Sequence, residues 1–161
     1  MTFKTLTINS QEFAREPQNL KGTLAAGDLP RLAEFGGSLH YELDSSQSTQ
    51  VIAAGSQPAV QLFIQAQLTL PCQRCLEAMP LVLDLHFDYI VSTQMPELLA
   101  DVDELDWIEA SPTFDLAALI EDEILAAIPI APTHVTGCVA LKTESGELLN
   151  AFEMLKNLKL K

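Results

Sequence analysis

Two cysteines three positions apart, Cys72 and Cys75 in P-C-Q-R-C-L-E, are the residues of this chain best suited to chemistry. Such a pair can exchange disulfides, supply half of a metal site, or simply share a turn. Redox pairs lie where a strand enters a helix, because the helix N-terminus stabilises the thiolate. Here strand-like alternation lies on both sides of the pair, which argues against thiol–disulfide catalysis.

A metal site needs a second pair of ligands, and His134 and Cys138 in P-T-H-V-T-G-C are the candidates. With Cys72 and Cys75 they would form a Cys3His set, one of the ligand sets that bind structural zinc. The second pair is spaced more loosely than a C-x-x-C pair and lies just after a predicted helix, so it is a weaker signal than two C-x-x-C pairs. The alternative therefore stays open that the cysteines are reduced thiols in a turn and that Cys138 lies elsewhere.

Signals for enzymatic catalysis are absent from the sequence. His40 and His86 each stand alone on an alternating run, where a histidine is usually packed or solvated. There is no G-x-S-x-G, H-E-x-x-H or Gly-rich phosphate loop. The acids at 121–123 fan around a helix, which favours a solvated face or a docking site for a basic protein. We predict that the protein is not an enzyme.

The charge of the chain is concentrated in its middle. The net charge is −13, and no Lys or Arg occurs between Arg74 and Lys142, whereas 13 acids lie from Glu77 to Glu123. A long segment of one sign repels phosphate backbones and attracts basic partners. Solubility alone is the other explanation of such a segment.

The elements that position these groups follow from hydrophobic periodicity. Alternating apolar residues over 59–70 and 81–89 predict a hairpin with one face on a core and one in water. Residues 115–128 have apolar positions at helical spacing, opened by Asp115 and closed by Pro129.

Shorter segments complete the prediction. Weak alternation predicts strands at 3–8, 38–43 and 50–54, and L-D-W-I-E interrupts an irregular acidic region at 92–114. Asp28 is predicted to cap a short helix ended by two glycines, and 147–158 is predicted to be a second long helix. The sum is an α+β fold, in which an antiparallel sheet of about four to six strands is packed by one or two helices.

Length and composition bound the class of protein. A chain of 161 residues with 48% hydrophobic residues corresponds to one globular domain, 1–161. The first residues contain no signal-like stretch, and no window approaches a membrane span. Three cysteines do not make a disulfide framework, so we expect a cytoplasmic protein.

Four pieces of the sequence together resemble a known family. They are C-Q-R-C-L-E at 72–77, the helix at 115–129, I-A-P-T-H at 130–134 and the tail at 149–159. In this order they resemble the bacterial YceD family of large ribosomal RNA subunit accumulation proteins, over about residues 60–161. The matching residues in the turn and helix are Cys72, Arg74, Cys75, Leu76, Asp115, Leu116, Glu121, Asp122, Glu123 and Pro129.

The resemblance implies a role in the synthesis, processing or stability of 23S ribosomal RNA. The family's gene commonly lies beside one for a small zinc-containing protein of the large subunit, and no enzymatic activity is established for the family. Some relatives carry several cysteines after the helix, where this chain has Cys138 alone. That difference weakens the prediction of zinc, and we therefore expect no cofactor.

The leading hypothesis is a noncatalytic ribosome-biogenesis factor whose acidic segment docks a ribosomal protein or a processing factor. Two alternatives remain: direct binding of 23S precursor RNA, and a zinc-dependent RNA-processing enzyme. The first alternative would use Arg74 with the C-terminal lysines Lys156, Lys159 and Lys161. The predicted partner-binding residues are Cys72, Arg74, Cys75, Asp115, Glu121, Asp122 and Glu123.

Overall fold

A six-stranded sheet forms the body of the protein in a computed structural model that describes residues 6–45, 49–52, 55–94 and 106–140. Two short strands, at residues 7–8 and 114–115, pair as a separate small sheet. The elements in chain order are β1 (Thr7–Ile8), α1 (Ser10–Phe13), β2 (Asn19–Ala25), a 3₁₀ turn (Ala26–Asp28), β3 (Gly36–Asp44), β4 (Thr49–Ile52), β5 (Gly55–Pro71), β6 (Ala78–Ser92), β7 (Asp106–Glu109), β8 (Phe114–Asp115) and α2 (Leu116–Ala127).

The long hairpin β5–β6 is the centre of the sheet, as its alternation predicts. β5 and β6 pair antiparallel from Ala59 opposite Ile90 to Pro71 opposite Ala78. From Val60 to Leu70 every second residue of β5 is buried, and Leu62, Ile64 and Ala66 are fully enclosed. Period-two alternation thus gives the hairpin one apolar face and one face toward water.

The order of the main strands is β2-β3-β5-β6-β7, with β4 paired to the start of β5. All pairs are antiparallel except one: β7 runs parallel to β6, with Tyr89 opposite Asp106. The prediction of a purely antiparallel sheet is therefore wrong at this edge, and the sheet is mixed. A parallel neighbour requires a long crossover rather than a tight turn, and the chain over 93–105 has the length for one.

Helix α2 begins where the sequence predicts. Asp115 is its N-cap, and the Asp115 carboxylate accepts a hydrogen bond from the backbone N–H of Ala118. Leu116, Ile120 and Ile124 are fully buried in the same hydrophobic core as the apolar face of the sheet. The α+β fold class is confirmed, with helices and turns on one face of the sheet.

The predicted helix after Asp28 is wrong. The carboxylate of Asp28 instead accepts a hydrogen bond from the backbone N–H of Ala25, and so closes the 3₁₀ turn that ends at Asp28 itself. Residues 29–35 form turns whose Leu29 and Leu32 are fully buried.

The remaining predicted elements have mixed outcomes. The strand-like runs at 38–43 and 50–54 correspond to β3 and β4, and L-D-W-I-E contains β7. Only the last part of the run at 3–8 is described, and β1 there pairs with β8. The helix predicted at 147–158 lies outside the described residues.

Candidate functional site

The two cysteines of C-Q-R-C-L-E lie in the tight turn that joins β5 to β6. The backbone N–H of Cys72 donates to the carbonyl of Glu77, and the N–H of Leu76 donates to the carbonyl of Cys72, both at 2.8 Å. Leu76 has a φ of +61°, in the left-handed region that a branched-chain residue seldom adopts. The turn therefore holds Leu76 under backbone strain while it brings both thiols to the same side.

The segment after α2 passes beside this turn. The N–H of Gln73 donates to the carbonyl of Pro132 at 2.8 Å, and Pro132 is buried. Gly137, with a φ of +85°, reverses the chain between His134 and Cys138 so that both side chains return toward the turn. A residue with a Cβ would be strained at that φ.

These two segments assemble the four candidate metal ligands. The ligand atoms of Cys72, Cys75, His134 and Cys138 all lie within 4.8 Å of one another. The Cys72 and Cys138 sulfurs are 3.9 Å apart, and the Cys75 sulfur is 3.5 Å from Nδ1 of His134. Zinc–ligand bonds of about 2.0 to 2.3 Å place neighbouring atoms of a tetrahedron about 3.3 to 3.8 Å apart. The two contacts lie close to that range, so the cluster approaches the dimensions of a Cys3His metal site.

The polar surroundings of Cys72 favour its thiolate. Burial works to raise the pKa of Cys72, but N–H groups of His134, Arg74 and Cys75 outweigh it and bring the pKa to about 5. The N–H of Glu77 works to lower the pKa of Cys75, but burial and the neighbouring thiols prevail and raise it. One thiolate is thus prepared for a cation, and a second would need the cation's charge to form.

The donor set defines what this cluster can do chemically. Four protein ligands close a tetrahedron, whereas a catalytic zinc keeps one position for water or substrate. The cysteines are free, with no disulfide between them, and strands rather than a helix flank the turn. The geometry fits a structural metal such as zinc, and it lacks the helix N-terminus that activates a redox pair.

The predicted acidic face of α2 is only partly free. Glu121 is 3% exposed, and its carboxylate accepts hydrogen bonds from the backbone N–H of Arg31 at 2.8 Å and from Arg31 Nε at 3.1 Å. The Arg31 guanidinium also bonds Asp122 and the carbonyl of Ala118. Its carboxylate partners raise the pKa of Arg31, foremost through the hydrogen bond that Arg31 donates to Asp122.

The sequence-based expectation of three solvated acids is therefore wrong for Glu121. We call the contact of Arg31 with Glu121, Asp122 and Ala118 the arginine clamp. Glu123 is half-buried and accepts a hydrogen bond from the Tyr89 hydroxyl at 2.6 Å. Asp115 and Asp122 remain exposed. Sequence reasoning missed Arg31 because it lies about 90 positions before its acids.

The predicted site residues fall into two groups. Cys72 and Cys75 are brought together with His134 and Cys138, whereas Asp115, Glu121, Asp122 and Glu123 belong to α2 and its cap. No hydrogen bond or ion pair within the described ranges joins the groups. Arg74 is exposed in the turn and makes no ion pair with any residue that the structure describes.

The chain that forms this sheet and cluster is similar to proteins of a known family. The sequence profile of the family described as "Large ribosomal RNA subunit accumulation protein YceD" matches residues 60–159. A protein of that name from Haemophilus influenzae is 28% identical over 170 residues, which cover 97% of this chain and 96% of the relative. The chain belongs to the YceD family.

Two further findings concern solved structures and membrane-spanning helices. No solved structure matches this chain. Among the described residues, no helix is long and apolar enough to cross a membrane.

Proposed function

We propose that the protein is a noncatalytic, cytoplasmic factor that supports the accumulation of 23S ribosomal RNA. The observation that carries this proposal is the family match over residues 60–159, which spans the hairpin, the Cys3His cluster and α2. The relative from Haemophilus influenzae bears the name of a large ribosomal RNA subunit accumulation protein. Because that relative covers 97% of the chain, we further propose that residues 1–161 form one domain of this family.

The proposed mode of action is protein docking through the acidic segment from Glu77 to Glu123. The segment carries no base, and Asp115 and Asp122 are exposed. Its negative field speeds encounter with a basic partner, such as a ribosomal protein or a processing factor, and repels RNA phosphates. Cys72, Cys75 and Glu121 then act as structural supports of the surface, and Arg74 lies exposed beside it.

Depletion of the protein in its own host tests the cellular role. We expect the ratio of 23S to 16S ribosomal RNA to fall and to recover when the gene is restored. Precursors of the large subunit should copurify with the tagged protein in low salt and be lost in high salt, because salt screens such contacts. An unchanged ratio of 23S to 16S on depletion would refute the role.

A test with naked RNA separates docking from direct RNA binding. The purified protein should not retain a 23S fragment even in low salt. It has far fewer Lys and Arg side chains than Asp and Glu side chains, and RNA binding depends on cations that contact phosphates. Retention with a steep salt slope would favour the RNA-binding alternative instead.

We also propose that the Cys3His cluster binds zinc as a structural ion. Cys72, Cys75, His134 and Cys138 would hold it, and the ion would supply the positive charge that the clustered thiols lack. The closed ligand set supports a structural role over a zinc-dependent RNA-processing enzyme. Elemental analysis of the protein purified without added metal should find one zinc per chain, and a folded, metal-free sample would contradict this proposal.

A further inference from the structure

The face of the sheet opposite the hydrophobic core is uncovered. We call it the open face: the outward side chains of β2, β3, β5 and β6, in three rows that follow the strand register. The rows are Thr23–His40–Gln65–Asp84, Lys21–Glu42–Phe63–His86 and Asn19–Asp44–Gln61–Asp88. All twelve side chains are exposed or half-exposed, so no described helix or loop covers them.

Aromatic rings lie in the middle row of this polar face, and an exposed apolar side chain borders it. The rings of Phe63 and His86 stack with centroids 4.4 Å apart and planes 9° from parallel. Phe63 is the one large apolar residue that breaks the alternation of β5, and its side chain is therefore on the water-facing side, where it is 39% exposed. Val82, in the strand next to it, is 70% exposed. These exposed apolar surfaces would gain free energy by being buried against a partner.

A shallow groove crosses the same rows. One depression of about 370 Å³ is lined by Thr23, His40, Gln65, Gln67, Val82 and Asp84, among others. A neighbouring one of about 280 Å³ is lined by His40, Glu42, Phe63, Gln65 and Asp84. Because His40, Gln65 and Asp84 line both depressions, the two adjoin one another beside the ring stack, and together we call them the groove.

The charge of the open face is unbalanced. Its acids are Glu42, Asp44, Asp84 and Asp88, and its only fixed cation is Lys21, which lies 3.8 Å from Glu42. The other groups that face these acids are neutral amides and hydroxyls, together with His40 and His86.

The acids differ in how far their own neighbours satisfy them. Asp88 accepts a hydrogen bond from Gln61 at 2.7 Å and lies 3.9 Å from His86 Nε2. Glu42 accepts one from Asn19 at 2.6 Å. Asp84, in contrast, has no hydrogen bond or ion pair within the described ranges and projects into the groove.

We propose that the open face is the docking surface for an arginine- or lysine-rich segment of a partner protein. This inference rests on the proposed function and names where the basic partner binds. A guanidinium of the segment pairs with Asp84 in the groove and lies against Phe63 in the stack, where the face of the benzene ring attracts a cation. RNA is excluded as the occupant because its phosphates would meet four carboxylates. A second copy of the chain is disfavoured by the same like-charge repulsion.

Peptide binding to the purified, full-length protein tests the inference. The probe is a fluorescein-labelled nona-arginine peptide, measured by anisotropy at low salt against wild type, Asp84→Lys and Glu34→Lys. Glu34 is an exposed acid in the turns that Arg31 fastens to α2, outside the open face. Both variants replace an acid with Lys, so they change the net charge equally. We expect Asp84→Lys to weaken binding about fivefold and Glu34→Lys by less than about twofold.

Phe63→Ala gives a second, charge-neutral readout. Loss of the ring face should weaken the peptide about threefold. Amide chemical shifts that change on titration should cluster in β3, β5 and β6. Equal weakening by Asp84→Lys and Glu34→Lys, or shifts confined to α2, would overturn the inference. Circular dichroism of each variant verifies that the sheet is folded.

Copurification with large-subunit precursors separates this inference from the proposed function. Loss of the precursors with Asp84→Lys, together with retention by Glu34→Lys, supports the open face. If both variants retain them, the open face is wrong and the proposed function stands. If wild type fails to copurify while depletion leaves 23S RNA unchanged, the proposed function itself fails.

Discussion

The Cys3His cluster and the arginine clamp both fasten the C-terminal part of the described chain to distant strands and turns, but they do so on different terms. The clamp brings its own counter-charge, since Arg31 contacts the buried Glu121 through two hydrogen bonds. The cluster gathers three thiols and an imidazole that contact one another, Cys72 with Cys138 and Cys75 with His134, and the proposed cation would supply the charge they lack. The clamp therefore holds α2 without a ligand. We expect a bound metal, if the proposed site takes one, to strengthen the attachment of 129–140 beyond the hydrogen bond between Gln73 and Pro132.

The largest expected effect comes from removing one metal ligand. Cys75→Ala should abolish stoichiometric zinc and weaken any residual affinity by more than about 100-fold, because loss of an outer-shell partner alone costs 10- to 100-fold. The melting temperature should fall to that of the chelated wild type. Thr136→Ala, an exposed position between the two later ligands, is the matched control. Wild-type zinc content in Cys75→Ala would disprove the ligand assignment.

Loss of the clamp should be the next largest effect. Arg31→Ala leaves the carboxylate of Glu121 buried without its cation, and we expect the free energy of unfolding to fall by about 2 to 3 kcal/mol. Chelator should leave this loss unchanged if the clamp and cluster act separately, as double-mutant additivity predicts. Urea unfolding measures it, with Arg15→Ala as the exposed control. A loss that appears only with zinc bound would mean that the two assemblies are coupled.

The Tyr89–Glu123 contact should contribute less. Tyr89→Phe removes a 2.6 Å hydrogen bond, so we expect a loss of about 1 kcal/mol at neutral pH. Burial, foremost, and then Glu123 raise the pKa of Tyr89, so above pH 10 the unfolded chain loses a proton that the folded chain keeps.

Stability of the wild type should therefore decline as pH rises above 10. Tyr89→Phe should decline less steeply, with Tyr41, whose pKa burial also raises, supplying the remaining slope. Parallel urea titrations at neutral and alkaline pH measure the difference. Identical slopes for both proteins would show that Tyr89 is accessible to hydroxide in the folded state.

The smallest effect concerns the strained turn that carries the thiols. Leu76→Gly should change the free energy of unfolding by less than about 0.5 kcal/mol, because relief of the left-handed strain offsets the greater entropy of the unfolded chain. Leu76→Val should lose about 1 kcal/mol, since a β-branched residue tolerates a φ of +61° poorly. Thermal unfolding of the zinc-loaded forms compares them. A more stable Leu76→Val would show that the turn relaxes out of that conformation.

Particular residues show how far sequence reasoning reached. The hairpin, α2 and its Asp115 cap followed from periodicities of 2 and 3.6 residues, which are local properties of the chain. The choice of His134 and Cys138 as the second ligand pair also came from the sequence, because few donors were available. Phe63 stood out as the break in the alternation of β5, although only its place beside His86 shows what that break provides.

Other features depended on contacts between distant residues. The parallel pairing of β7, the capping of the 3₁₀ turn by Asp28 and the burial of Glu121 have no local signature. The segment from Glu77 to Glu123 contains no base, yet Arg31, about 90 positions earlier in the chain, supplies a counter-charge to Glu121 and Asp122. Charge along a sequence therefore says little about charge in space.

The sequence by itself determined the alternating and helical segments, the supply of metal donors and the excess of acids, because composition and periodicity are written residue by residue. Tertiary structure alone decided which donors meet within 4.8 Å, which acids are neutralised and which face of the sheet stays open. Those outcomes depend on packing, since burial of apolar side chains fixes the strand order and brings polar groups together wherever the packed chain places them.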